Sequence, residues 1–126
     1  MIALVLDAGA LIAIDRGDRV VHEKIEKALR IGQPVRTNPN AVAQVWRDGA
    51  KQARLVRVLR DVKIEPITLE DGYRAGELLG AARTRDVVDA TVALLAESGD
   101  RLYTSDPGDL RLLCKTAGIK AVVIGC

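Results

Sequence analysis

The sequence predicts a three-layer α/β/α fold built around a mostly parallel central sheet. Three observations lead there. Residues 2–6 are an unbroken apolar run, rich in β propensity and too short for a helix, as expected of a strand buried on both faces. Short strand-like runs then alternate with amphipathic helical patterns, often two helices between strands. Finally, the order strand, aspartate, helix occurs at Asp7 and again at Asp106.

At 126 residues the chain fits a single domain, 1–126, with enough length for a real core. Hydrophobic residues make up 48% and charged residues 29%, a soluble globular balance. With no Phe, one Trp and two Tyr, the core must be filled by Ala, Val, Leu and Ile. So few aromatics argue against a base-stacking platform. The net charge of +2 is too small to identify a partner class. Cys114 and Cys126 form neither a CxxC pattern nor a disulfide framework, so a reduced, cytoplasmic setting is expected. The N-terminal apolar stretch lacks a basic leader and is split by Asp7, unlike a signal peptide. No run approaches the roughly 18–20 apolar residues of a membrane helix.

After the first strand, Asp7 and the small-residue turn Ala8-Gly9-Ala10 lead into apolar residues at helical spacing over 11–14. Asp7 is either a helix N-cap or a functional acid, and the two roles can coexist. A polar turn at 15–18 precedes a helix over 19–31, with Val21, Ile25, Ala28 and Leu29 on one face and Gly32 as its stop. Residues 34–37 read as a second strand. Asn38 then caps a helix with Pro39 at its first position, running towards Asp48-Gly49. The spacing of Leu55, Val58, Leu59 and Val62 predicts a further helix over 51–62.

Residues 63–67 read as a short strand that Pro66 pushes to the sheet edge. Thr68 caps a helix reaching about residue 83, with Glu70 and Asp71 in its first turn. Gly72, Gly76 and Gly80 fall on one face of it, each costing roughly 1 kcal/mol against Ala. They mark either a close backbone contact or a loosely specified surface. A largely buried helix is expected over 87–98, a strand over 101–105, a helix to about residue 117 and a last strand over 121–124.

Asp89 interrupts the otherwise apolar segment Val87-Val88-Asp89-Ala90-Thr91-Val92. A buried carboxylate is costly unless it is paired or binds a metal. Asp86, three residues earlier, suits an N-cap. Asp7 and Asp106 both follow strands of a parallel sheet, so they lie on one edge, where open α/β sheets place their ligands. Asp109 follows within one helical turn, as a first-turn acid or a further ligand. Converging carboxylates repel unless a divalent cation compensates them. Oxygen donors and a single histidine, His22, on a charged helix favour Mg²⁺ or Mn²⁺ over zinc and leave no Ser-His-Asp or Cys-His set. An acid cluster holding one or two metals suits phosphodiester hydrolysis.

These residues resemble the PIN-domain family, most closely the VapC toxins of bacterial toxin–antitoxin pairs. The resemblance spans nearly the whole chain. It rests on Val5-Leu6-Asp7-Ala8-Gly9-Ala10-Leu11, Ala43-Gln44-Val45-Trp46-Arg47-Asp48-Gly49, Asp86-Val87-Val88-Asp89-Ala90 and Tyr103-Thr104-Ser105-Asp106-Pro107-Gly108-Asp109. It implies a Mg²⁺- or Mn²⁺-dependent endoribonuclease whose metal-site acids would be Asp7, Asp89 and Asp106, with Asp109 as a fourth ligand and Thr104 as the supporting hydroxyl. It also implies a cognate antitoxin partner and a homodimer. Gln44 departs from the pattern, because many members carry Glu there. Glutamine can reach a metal or its waters but brings no charge and cannot act as a base. Asp48, one turn on, is either a partial substitute or a surface acid.

Gln44 is what supports the alternative, a catalytically weakened PIN domain that binds RNA or antitoxin without cutting. Two other α/β readings fit poorly. A haloacid-dehalogenase-type phosphatase would want an acid at Gly9, and a receiver domain an acidic pair where Leu6 precedes Asp7. Arg47, Lys51 and Arg54, in a stretch with Arg57 and Arg60, are either RNA phosphate contacts or a plain solvated face. Leu11, Ile12, Ile14, Val42, Val45 and Trp46 are either an antitoxin groove or core.

Overall fold

The computed structural model describes residues 1–126. Strands β1 (Leu4–Leu6), β2 (Val35–Thr37), β3 (Lys63–Ile64), β4 (Arg101–Thr104) and β5 (Val122–Gly125) form one sheet in the order β3-β2-β1-β4-β5. Every pairing is parallel, with Leu4 of β1 facing Val35 on one side and Arg101 on the other. The helices are α1 (Ala8–Asp15), α2 (Arg19–Arg30), α3 (Pro39–Val45), α4 (Ala53–Leu59), α5 (Leu69–Ala82), α6 (Val87–Ala93) and α7 (Pro107–Ala117). Helix α1 packs against α2, α3 and α4, while α5, α6 and α7 pack together, completing the three α/β/α layers.

The apolar run at the N-terminus takes the centre of the sheet because only there are both faces of a strand covered. Leu4, Val5 and Leu6 are all buried. Around them lies one core cluster of 27 residues, dominated by Leu, Val, Ile and Ala. Leu11, Ile14 and Val45 belong to it, so those three are core; Trp46 stays exposed. No helix is long and apolar enough to cross a membrane.

The chain builds outward from β1 to β3, then crosses back to lay β4 on the other side of β1. That reversal makes a topological switch point between β1 and β4, and a crevice opens at their carboxyl ends. Helix ends largely follow local chemistry. Asp18 caps α2 and Gly32 follows its end with φ +77°, while Thr68 and Asp71 form a reciprocal capping box on α5.

Two helices stop earlier than their patterns suggest. The helix expected to run past residue 45 ends at Val45, and the one expected from residue 51 begins at Ala53, with a 3-10 turn at Gly49–Lys51 between them. The buried side chain of Gln52 holds this break. Its Oε1 accepts from the N–H groups of Arg47 (2.8 Å) and Asp48 (3.0 Å), and its Nε2 donates to Val45 O (2.9 Å) and to Asp15 (3.2 Å). Helix α6 stops at Ala93 rather than residue 98. The chain tightens through Leu95 N–H to Val92 O and Ala96 N–H to Ala93 O, and Asp100 then accepts from Glu97 N–H. Strand β3 also ends two residues before Pro66, at the edge of the sheet.

A methyl group placed on Gly72, Gly76 or Gly80 would meet nothing within 4 Å. The close backbone contact that those glycines suggested is not made within this chain.

Candidate metal centre at the sheet edge

Asp7 is the first residue past β1. Its side chain caps α1 by accepting from Ala10 N–H at 2.9 Å, and its own N–H donates to Tyr103 O on β4 at 3.1 Å. It is 2% exposed. Burial raises its pKa, which the Thr104 hydroxyl and the N–H groups of Ala10 and Gly9 pull back down, while the charge of Asp106 adds to the rise.

Thr104 closes β4 and is fully buried. Its Oγ1 accepts from Asp106 N–H at 2.8 Å, and its hydroxyl acts on the Asp7 carboxyl from the neighbouring strand. Asp106 precedes Pro107, the first residue of α7, and makes no side-chain cap. Its carboxylate is therefore free of the α7 backbone, unlike that of Asp7. Asp109 lies one turn further along and is exposed; a hydrogen bond to Asp106 and the charge of Asp106 raise its pKa.

Asp89 arrives from the opposite direction, in the first turn of α6, and is half-buried. Asp86 caps that helix by accepting from Asp89 N–H at 2.9 Å, the role its position suggested. The Asp89 pKa is pushed up to about 7, first by burial and then by the charges of Asp86, Asp7, Asp106 and Asp109.

Carboxylate oxygens of Asp89, Asp106 and Asp109 lie within 4.8 Å of one another. Asp7 stands beside this trio rather than within it, coupled to it by charge. A site offering only carboxylates suits a hard divalent cation, which would offset both the burial of Asp89 and the repulsion from its acidic neighbours.

Gln44 is exposed on α3. Asp48 caps the 3-10 turn by accepting from Ala50 N–H at 3.1 Å. Arg47 donates to Ala43 O and Trp46 O at the end of α3. Lys51 is exposed, and Arg54 donates to Asp15 O at the end of α1.

Gly9 is a requirement of the site that its sequence context hid. A Cβ there would fall on the Ser105 side chain and within 2.7 Å of its backbone nitrogen, so only glycine lets the turn after β1 lie against the end of β4. The Gly9→Ala variant is expected to lose about 1–3 kcal/mol of stability by overpacking. Its remaining folded fraction should bind Mn²⁺ more weakly, because the two strand ends are forced apart. Thermal denaturation and Mn²⁺ titration would measure the two effects. An unchanged melting point together with unchanged affinity would remove the constraint.

The chain can be superimposed along its whole length on a solved structure described as VapBC2 from Rickettsia felis bound to a DNA fragment from their promoter. The match covers 100% of this chain and 99% of that one, with a TM-score of 0.67 and 13% sequence identity. At that identity the likeness is one of fold. No family model matches the sequence. No curated protein matches it either.

Proposed function

We propose that this chain is a VapC-type toxin, a metal-dependent endoribonuclease that hydrolyses RNA phosphodiester bonds and is held in check by a cognate antitoxin. The observation that carries this reading is the convergence of Asp89, Asp106 and Asp109 beside buried Asp7 at the switch point of a parallel sheet. Whole-length likeness in fold to a structure of a toxin–antitoxin pair supports the class. A homodimer is part of the same reading.

Asp89, Asp106 and Asp109, together with buried Asp7 beside them, would hold Mg²⁺ or Mn²⁺. A divalent cation bound there supplies Lewis-acid polarisation of a phosphate and lowers the pKa of water. The protein groups do the positioning. Thr104 anchors the backbone of Asp106 and lies next to the Asp7 carboxyl. The backbone N–H of Ala10 holds one Asp7 oxygen. Gln44 contributes polarity without charge.

The test is cleavage of total cellular RNA by the purified chain with Mg²⁺ or Mn²⁺, with chelator, and beside Asp7→Asn. Discrete products that need metal and vanish in the variant are the expected result. No cleavage above the variant's background, together with retained RNA or antitoxin binding, would instead establish a binding domain weakened at Gln44.

A further inference from the structure

A second charged site lies outside the acid cluster. Gly17, Arg19, His22, Glu23, Arg54 and Arg57 line a cleft of about 350 Å³ that has no hydrophobic lining residue. Arg19, His22 and Glu23 come from the first turns of α2, and Arg54 and Arg57 from α4, which packs on α1. Three guanidiniums thus share one cleft, and none is ion-paired. The chain's ion pairs are His22–Glu26, Arg36–Asp100 and Lys63–Glu65. Glu23 is the only carboxylate in the lining.

The arrangement is built rather than incidental. Arg54 Nη2 donates to Asp15 O at 3.3 Å, which anchors the guanidinium to the end of α1 and leaves its other N–H groups free. Gly17 makes room for it: φ is +80° there, and a Cβ would lie 3.2 Å from the guanidinium carbon. Like charges gathered around an open polar cleft repel one another, and an anion removes that cost. Planar guanidiniums match phosphate oxygens in geometry as well as charge.

The cleft also lies on the functional side of the molecule. Asp18, the cap of α2, lines one pocket together with Gly125 and Cys126 at the end of β5. Helix α2 therefore begins at the carboxyl edge of the sheet, the edge that carries the acids.

We infer that this cleft binds a backbone phosphate of the RNA strand, holding it while another phosphate of the same strand lies at the acid cluster. The inference rests on the nuclease reading above. It places the main electrostatic contact on Arg19, Arg54 and Arg57 rather than on Arg47 and Lys51, which do not line the cleft.

The test is binding of a fluorescein-labelled single-stranded 20-nucleotide RNA of mixed sequence, read by anisotropy across a KCl series. The full chain carries Asp106→Asn so that the probe survives in Mg²⁺. Each phosphate contact on a single strand contributes about 0.7 to the slope of log affinity against log salt. Arg19→Gln/Arg57→Gln should abolish that single contact, lowering the slope by about 0.7 and weakening binding about 5-fold at 0.1 M salt. Both residues are exposed, and circular dichroism would check that the variant is folded. Arg54→Gln alone should lower the slope by part of that amount. Lys115→Gln/Lys120→Gln, which removes the same charge elsewhere, should change neither quantity by more than a small fraction of this.

If the cleft variants bind like the charge-matched control, the phosphate site is overturned, and cleavage by the unmodified chain still stands as evidence for the nuclease. If the cleft variants lose binding but the unmodified chain never cleaves, the site holds and the nuclease reading falls. Absence of RNA binding by the Asp106→Asn chain even at low salt overturns the site outright.

Discussion

Replacing Asp89 with Asn is expected to abolish metal-dependent RNA cleavage and at the same time to stabilise the metal-free chain. Loss of a residue that merely supports a metal ligand commonly costs 10–100-fold, so loss of a ligand carboxylate should cost at least about 100-fold. Stability should move the other way. The Asp89 pKa stands at about 7 in the folded chain, against an ordinary aspartate value of 3.8. The folded state therefore binds more protons than the unfolded state between those values, and stability falls as pH rises through that window. Because the group is about half exposed, solvent screening reduces the penalty to roughly 1–2 kcal/mol at neutral pH.

Thermal melts in chelator should accordingly show the unmodified chain losing stability from about pH 4 to about pH 7. Asp89→Asn should show a weaker decline over the same range. Added Mn²⁺ should restore the unmodified chain at pH 7.5 and have little effect on the variant. Parallel pH profiles for the two chains, or full cleavage by the variant, would remove Asp89 from the site.

Asp100→Ala is expected to cost about 3–5 kcal/mol, the usual penalty for breaking a buried ion pair from one side. Asp100 is 3% exposed. Its Oδ1 accepts from Ala3 N–H at 2.9 Å, and its Oδ2 accepts from Glu97 N–H at 2.9 Å and from Arg36 Nη2 at 3.2 Å. One carboxylate therefore ties the start of β1 to β2 and to the chain after α6. Its removal leaves the Arg36 guanidinium, whose Nε already lacks a partner, without a counter-charge. A domain is held by roughly 5–15 kcal/mol, so the loss should be visible as a drop in melting temperature of roughly 10–20 °C. Asp100→Asn keeps an acceptor for Ala3 N–H and should fall between the two. Urea denaturation measures the difference directly. A loss under about 1 kcal/mol would show that water replaces the network.

The two aspartates explain each other's legibility. Asp89 stands out because apolar residues flank it along the chain, so its oddity is local. Asp100 sits in an ordinary-looking Gly99-Asp100 turn, and its partners Ala3 and Arg36 are far away in sequence. The same contrast separates the helix ends. Asp18, Asn38, Thr68 and Asp86 cap their helices through residues two or three positions on, and such caps are readable from spacing. The end of α3 depends on the Gln52 side chain reaching back to Val45, and the end of α6 leads into the bond from Glu97 to Asp100.

The sequence by itself determined the α/β class, the burial of the first strand, most helix starts, and the acids Asp7, Asp89 and Asp106. Each is recorded in hydrophobic period or near-neighbour chemistry. Tertiary structure alone decided that Asp89 groups with Asp106 and Asp109 beside buried Asp7, that Gly9 must lack a side chain, and that Arg54 shares a cleft with Arg19. For Gly9 the reason is the strand order: laying β4 beside β1 brings it against Ser105, about a hundred positions away. Asp89 joins Asp106 and Asp109 through the packing of α6 on α7, and Arg19 joins Arg54 through α1, and no local pattern records any of these contacts.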